Sequence, residues 1–388
     1  MGEKTIGIIA EWNPFHRGHE KMVQYLKDCF GDAFLMAVMS GPFVQRGEPS
    51  LFDPWIRARW AVECGVDAVF SFPVLCVLQS ADRFAAFGVE LLSSMGADSI
   101  CFGTESLEKE ELLEAASFSL TDSYSRTFHE ALAQGLSYAT ASYEAMKNCS
   151  TYLADELSRP NNLLGFRYTE TILRNRFPMD ILVFHRDTDH DISASAARKE
   201  LLQKNRSGLL PISFQKEAEV LMQSGNCTDY SRYEDACLLA SRLWDEKSLA
   251  ETGLFSEGLE HKWFRETGQE SYGVMLDHIK SKRYLYSRLK RLGAQLLLSG
   301  QGPSLFMHSS FPKYARLLSL RRKKSGALNH IAVPVYTSMA KAWKQADQDT
   351  RLSLEMDIRA SDIRAFCQKS LRFRKSRQEF YHSPEIVG

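Results

Sequence analysis

The chain has 388 residues, 44% of them hydrophobic and 25% charged, with equal numbers of basic and acidic side chains and no net charge. That length suits two domains, and the composition is that of an ordinary soluble globular protein able to bury a sizeable core. No apolar run reaches the roughly 18 residues of a membrane span, and Met1-Gly2-Glu3-Lys4 runs into a strand without a signal segment, so a cytoplasmic location is expected.

The first half alternates in period. "TIGIIAEW" reads as a strand. "HEKMVQYLKDCFG" reads as an amphipathic helix, with Met22, Val23, Leu26 and Phe30 on one face and Gly31 as its stop. "AFLMAVMSG" is the next strand. It is followed by a helix in "DPWIRARWAVECGV", where Asp53 is the expected N-cap and Pro54 a first-turn residue. "DAVFSFPV" and "DSICFGT" are further strands, with a helix in "RFAAFGVELLSSMG" between them. Continuous apolar strands between helices predict an α/β fold with a parallel sheet covered on both faces. Residues 107–178 look less regular, "DILVFHR" restores a strand, and "DHDISASAARKELLQK" reads as a loop and helix start. Beyond about residue 205 the pattern becomes almost wholly helical, so the expected domains are 1–205 and 206–388. Repeats and low-complexity segments are absent from the sequence.

The eight cysteines, Cys29, Cys64, Cys76, Cys101, Cys149, Cys227, Cys237 and Cys367, form no CxxC pair, so reduced thiols are expected rather than a zinc ribbon or disulfides. No G-x-G-x-x-G follows the first strand and no P-loop occurs, which disfavours a dinucleotide site and a Walker-type site. What does follow the first strand is "EWNPFHRGH", with His16 and His19 flanking Gly18 at a strand-to-helix turn. Parallel sheets bind ligands at the carboxyl ends of their strands, and a helix N-terminus favours an anion. Glycine there permits close approach, and two imidazoles can donate hydrogen bonds or carry charge. These parts suit a phosphate that gains charge during a displacement, with catalysis by positioning and electrostatics. The alternatives are a structural role, one histidine capping and the other packing, or zinc, which lacks a third ligand nearby.

Net neutrality hides an asymmetry. From Ile279 to Ala346 there is no Asp or Glu, while the stretch carries Lys280, Lys282, Arg283, Arg288, Lys290, Arg291, Arg321 and Arg322 among others. Such a stretch predicts a polyanionic partner. "KSKRYLYSRLKRL" interleaves Tyr284 and Tyr286 with basic residues, which suits phosphates and unpaired bases, and "RRKK" at 321–324 is a second candidate contact. An ordinary solvated helix face is the alternative.

His16-Arg17-Gly18-His19 resembles the signature of the HIGH-type nucleotidyltransferase superfamily. "ISASAARK", with Ser193, Ser195 and Arg198, resembles its second motif. "EWNPFHRGH", "AVMSGPFVQRGEPS", "CFGTES", "RPNNLLGFRY", "KSKRYLYSRLKRL" and "LEMDIRASDIRAF" resemble the bacterial tRNA(Met) cytidine acetate ligase family. The resemblance implies a Rossmann-like nucleotidyltransferase domain followed by a mostly α-helical, tRNA-binding one. It implies activation of acetate by ATP as acetyl-adenylate, then acetylation of N4 of the wobble cytidine of elongator tRNA(Met). His16 and His19 would be catalytic. Ile9, Ala10, Glu11, Trp12, Asn13, Pro14, Phe15, Gly18 and Met22 would wrap the nucleotide. Gly103 would lie under the adenosine, Asn162 or Asn161 would hydrogen-bond it, and Arg186, Ser193, Ser195 and Arg198 would complete the phosphate site. Ser40, Gln45 and Arg46 could reach acetate or the cytidine. Mg²⁺ is expected with ATP, without a dedicated metal site, and neither membrane nor DNA is an expected partner. Ala197, where a larger aliphatic is common, and Arg17, where a small or polar residue is common, depart from the pattern. A small-molecule adenylyltransferase and a non-catalytic RNA-binding protein are the competing readings. The first leaves the basic stretch unexplained, and the second leaves the intact histidines unexplained.

Overall fold

The computed structural model describes residues 4–186, 192–281, 283–299, 304–307 and 313–388. Ten strands occur among them: β1 (Thr5–Ala10), β2 (Phe34–Ser40), β3 (Phe43–Val44), β4 (Glu48–Pro49), β5 (Ala68–Phe72), β6 (Ser99–Thr104), β7 (Asp180–His185), β8 (Ala315–Arg321), β9 (Val335–Tyr336) and β10 (Glu385–Val387). The main sheet runs β10-β8-β5-β2-β1-β6-β7, with β9 paired to the first two residues of β8. β5, β2, β1, β6 and β7 are mutually parallel. The chain winds outward from β1 through β2 to β5 and then returns to β6 on the other side of β1. That reversal makes a crevice at the carboxyl ends of β1 and β6, the place where open α/β sheets bind ligands.

The strands are apolar throughout because both faces are covered. In β2, Phe34, Met36 and Val38 enter one core, whereas Leu35, Ala37 and Met39 enter the other. Alternation of side chains across a strand sends each set to its own face. Helix α1 (Arg17–Phe30) buries Met22, Val23 and Leu26 and stops at Gly31. Helix α2 (Pro54–Glu63) starts at Asp53, whose side chain accepts from the Ile56 N–H, with Pro54 in the first turn. These are the elements the sequence predicts.

Two regions differ from the sequence reading. Residues 107–178 are not irregular; they form five helices, Lys109–Ser119, Asp122–Ala133, Tyr138–Lys147, Thr151–Glu156 and Pro160–Asn175. Four of them are short, and the hydroxyls that look like loop residues are their N-caps: Thr121, Ser137 and Ser150 each accept a hydrogen bond from the first turn that follows. After residue 205 the chain is mostly helical, but it also returns to the sheet. β8 pairs antiparallel with β5, and β10 pairs parallel with β8. The strand lies in "ARLLSLR", too short for its period to stand out, and the parallel-only sheet expected from the first half becomes mixed at this edge. Helices between Tyr230 and Leu298, with Gln348–Phe366, build a separate apolar cluster around Trp263, Tyr272 and Leu289. Phe43 of the β3–β4 hairpin is buried in that cluster, so the hairpin joins the helical part to the sheet's carboxyl edge. All eight cysteines are free thiols, five of them buried and Cys29 exposed. Among the described residues no helix is long and apolar enough to cross a membrane.

Candidate functional site

A cavity of about 530 Å³ opens at the crevice. β1 supplies Ile9 and Ala10, the turn supplies Glu11, Trp12, Asn13 and His16, and α1 supplies Gly18, His19 and Met22. Gly103 of β6 and Arg186 after β7 face it, with Asn161, Ser193, Ser195, Arg198, Gln45 and Arg46. Its size is that of a small-molecule or cofactor site.

The two histidines lock each other in place. His16 is the N-cap of α1 and its Nδ1 accepts from the Gly18 N–H at 3.1 Å. The His19 Nδ1 accepts from the His16 N–H at 3.2 Å, and the rings stack with centroids 3.7 Å apart. An Nδ1 that accepts a hydrogen bond carries no proton, so in each neutral ring the proton sits on Nε2. The helix-capping role and the ligand role are therefore not alternatives. One nitrogen of each ring caps the helix, which leaves the other as a donor. Phe15 backs the pair, its ring 5.4 Å from that of His19. Trp12, held at φ +42°, packs edge-on against Phe15.

Charge on these rings is disfavoured. Burial, reinforced by the Arg186 guanidinium, lowers the His16 pKa to about 3. Burial, then His16, then Arg186 hold His19 well below the ordinary histidine range. The expectation that either could be cationic is corrected: both are neutral donors near neutral pH, and the fixed positive charge comes from arginine. Arg186 meets no carboxylate among the described residues, although it faces the imidazoles. Arg198 donates to the Asn13 carbonyl at 2.5 Å and to Ser195 Oγ at 3.3 Å. Opposite them, burial raises the Glu11 pKa, and the Gln45 N–H donates to its Oε1 at 2.6 Å.

His16 binds its proton at 6.5 when unfolded and at about 3 when folded. Between these values the unfolded chain holds more protons, so stability rises with pH across that window and is lost as pH falls below 6.5. The imidazole resonances of His16 and His19 should therefore stay flat from about pH 5 to about pH 8, unlike an ordinary histidine with a pKa near 6.5. Titration of either ring within that range, followed by NMR, would contradict the neutral assignment.

Gly18 has a different cause from the one its position suggests. A Cβ there would lie 2.9 Å from Cε1 of His16, so the glycine makes room for the capping imidazole rather than only for a ligand. Gly103 likewise underlies a side chain, since its Cβ would sit 3.0 Å from Cγ of Arg186.

Several expected contacts do not reach the cavity. Asn162 is fully buried; its Oδ1 accepts from the Glu105 N–H at 2.9 Å and its Nδ2 donates to Ser106 and Glu156. It is a structural fastener, and its neighbour Asn161 is the one at the cavity wall. Pro14 and Phe15 lie behind the wall, and Ser40 is buried outside it. The wall also holds residues the sequence did not flag, including Lys21, Tyr168 and Phe184. Behind the turn, the fully buried Arg57 donates to the carbonyls of Glu11, Ser40, Gly41 and Phe52. Nothing in "PWIRARW" distinguishes it from a solvated helix arginine. Among the described residues no group of three or more His, Cys, Asp or Glu could hold a metal ion.

The basic stretch is acid-free only along the chain. In space, carboxylates from elsewhere close on it: Glu257 on Arg283, Glu48 on Lys290, Asp67 on Arg321 and Glu379 on Arg316. Tyr284 is buried with its hydroxyl donating to the Glu257 carbonyl, which corrects the expectation that its ring is open for stacking. Lys290 lies over the Tyr286 ring, Arg291 is partly buried, and Arg288 donates to Ser256 and lies over Tyr284. Arg321 and Arg322 sit where β8 passes Asp67, at the amino ends of the parallel strands. That is the opposite edge of the sheet from the cavity, so they share no face with 283–291. Lys282 lies outside the described residues.

The chain is similar to known proteins over nearly its whole length. The profile of the HIGH Nucleotidyl Transferase family matches residues 3–379. A tRNA(Met) cytidine acetate ligase of Acetivibrio thermocellus is 30% identical over 97% of this chain and 98% of its own length. One from Bacillus velezensis is 32% identical over 84% of each chain. The crystal structure of Thermotoga maritima TmcAL bound with alpha-thio ATP superposes with a TM-score of 0.91 at 26% identity, covering 99% of both chains. With this family match over nearly the whole chain, the protein belongs to the tRNA(Met) cytidine acetate ligase family of HIGH nucleotidyltransferases.

Proposed function

We propose that the protein activates acetate with ATP and transfers the acetyl group to N4 of the wobble cytidine of elongator tRNA(Met), in the cytoplasm. The observation that carries this is the stacked pair of neutral imidazoles, each with Nδ1 engaged by backbone and Nε2–H left to donate, beside Arg186 in one cavity. An acetate oxygen attacks the α-phosphorus of ATP. The new P–O bond forms as the bond to the bridging oxygen breaks, and pyrophosphate leaves with that electron pair. Negative charge then grows on the α-phosphate and the leaving group. Preorganised donors aimed at such charge stabilise it without reorganising. His16 and His19 supply two neutral Nε2–H donors, which share their protons with the phosphate without transferring them, while Arg186 and Arg198 offset the charge. In the second step N4 attacks the acetyl carbon, the carbon–oxygen bond to AMP breaks, and N4 sheds a proton. Mg²⁺ enters as part of the MgATP substrate, carried by the triphosphate.

In this reading residues 1–205 hold the nucleotide chemistry and 206–388 most of the tRNA contact. Arg283 and the partly exposed Arg288 are the candidate phosphate contacts, and Arg322 would touch RNA only if it wrapped around the molecule. A small-molecule adenylyltransferase would have no use for a second cleft that Tyr230, Tyr233 and Tyr272 line beside the first. The test is label transfer from radioactive acetate, with ATP, to total tRNA lacking N4-acetylcytidine. Label on tRNA(Met) is expected. ATP cleavage without label on tRNA would move the assignment to a small-molecule acceptor.

A further inference from the structure

A second cleft, of about 360 Å³, adjoins the nucleotide cavity. Glu48, Ser195 and Arg198 line both, so the two spaces share a wall. The remaining lining comes from the helix Ala194–Lys204, including Leu202, and from the helical half, notably Tyr230, Tyr272, Glu234 and Lys290. Lys290 donates to Glu48 Oε1 at 2.5 Å and so fixes the carboxylate at the junction. Tyr272 is buried, and its hydroxyl lies beside the Cys237 thiol with no oxygen or nitrogen partner among the described residues. Its placement is tightly specified, since a Cβ at Gly293 would fall 1.8 Å from that oxygen.

We infer that this cleft receives the unpaired cytosine that accepts the acetyl group. The inference rests on the function proposed above. Single-stranded bases are recognised by stacking on aromatic rings and by hydrogen bonds to their Watson–Crick edges. Tyrosine walls supply the first. For the second, cytosine presents one amine donor beside two acceptors, N3 and O2, and a carboxylate is the partner for that amine. Glu48 stands where the cleft meets the nucleotide cavity, so an amine bound to it faces the acyl-adenylate. The N4 lone pair forms the bond to the acetyl carbon, AMP leaves with the electrons of the broken carbon–oxygen bond, and the N4 proton passes to the Glu48 carboxylate. Lys290 supplies a donor for the ring acceptors, while the Tyr272 hydroxyl, shut in against the backbone at Gly293, fixes the position of its ring. Uracil has an acceptor oxygen where cytosine has the amine and would set it against the carboxylate, so the site selects cytosine.

The test uses the full-length protein with an anticodon stem-loop RNA bearing 5-iodocytidine at the wobble position, irradiated and digested, with the crosslinked peptide identified by mass. Crosslinks are expected on the peptides that carry Tyr230 or Tyr272. Crosslinks elsewhere, or none on these peptides, would overturn the inference. As a second measurement, Leu202→Trp places a bulky ring at the rim of the cleft, on a side chain that is half exposed. It should lower acetyl transfer to the stem-loop at least about 30-fold, with acetate-dependent ATP–pyrophosphate exchange within about twofold of wild type. Transfer at the wild-type rate would show that the base enters by another route. If the wild-type protein crosslinks at the cleft but acetylates no RNA, the ligase reading fails while the base site stands. If it acetylates RNA but crosslinks elsewhere, the base site fails alone.

Discussion

His19→Asn is expected to slow acetate-dependent ATP–pyrophosphate exchange by about 10²–10³-fold, the cost of losing one preorganised donor to a developing anion. The choice of asparagine separates two functions of one side chain. In the native turn the His19 Nδ1 accepts from the His16 N–H, which is part of the cap of α1. An asparagine carbonyl can accept that hydrogen bond, but it offers no group at the Nε2 position. Folding should thus be nearly unchanged while the chemical step suffers. His19→Ala removes both functions and should add a stability loss of about 1 kcal/mol, as for other caps replaced by alanine. His16→Asn should behave like His19→Asn, because asparagine is itself a favoured N-cap. Exchange within a few-fold of wild type in His19→Asn would remove the imidazole from the transition state and leave it a helix cap. A binding-only role would raise the KM for ATP and leave kcat alone, so kcat is the quantity to compare.

How much of this was legible beforehand depended on whether the signal was local. α1 and α2 were readable because their caps, apolar period and stops lie within a few residues of one another. The pairing of His16 with His19 was readable as a motif, and so was the position of the turn at the sheet's carboxyl edge. The neutrality of the rings was not, since it comes from burial and from Arg186, which is distant in sequence. Nor could Asn161 be told from Asn162, because only the surrounding Glu105 and Glu156 decide which amide turns inward. The basic stretch misled for the same reason: Glu48, Asp67, Glu257 and Glu379 are absent from its sequence and present in its surroundings. β8 lies within that stretch, and burial of Ala315, Leu317 and Leu320 against one core with Leu318 in the other makes it a strand. The alternation breaks at Leu318, where the register against β5 shifts, and seven residues are too few for the period to stand out alone.

Arg57→Leu is expected to lower stability by about 3 kcal/mol, a large fraction of what holds a domain folded. The guanidinium is fully buried, and burial, with a contribution from Arg364, lowers its pKa to about 9. It is still protonated near neutral pH, and its donors are spread over four carbonyls. Those of Glu11 and Phe52 are reached at 2.6 and 3.2 Å, that of Ser40 at 3.0 Å, and that of Gly41 is also contacted. Glu11 belongs to the chain leaving β1, Ser40 and Gly41 to the chain leaving β2, and Phe52 to the segment between β4 and α2, so one side chain ties together the turns that shape the cavity. Leucine fills part of the volume and removes a costly buried charge, but it strands several carbonyls without donors, and each such loss costs about 1–3 kcal/mol. Relief of the buried charge offsets part of that total, which leaves the net figure above. Arg57→Lys should fall between, because one ammonium cannot span four acceptors in a fork. The urea midpoint reads the stability, with the slope unchanged if only stability is altered. A midpoint equal to wild type would mean that the turns hold themselves. Because the Glu11 carbonyl is one of the four, the folded fraction of Arg57→Leu should also bind ATP more weakly. A variant that is less stable but binds ATP normally would confine Arg57 to folding and free the site from it.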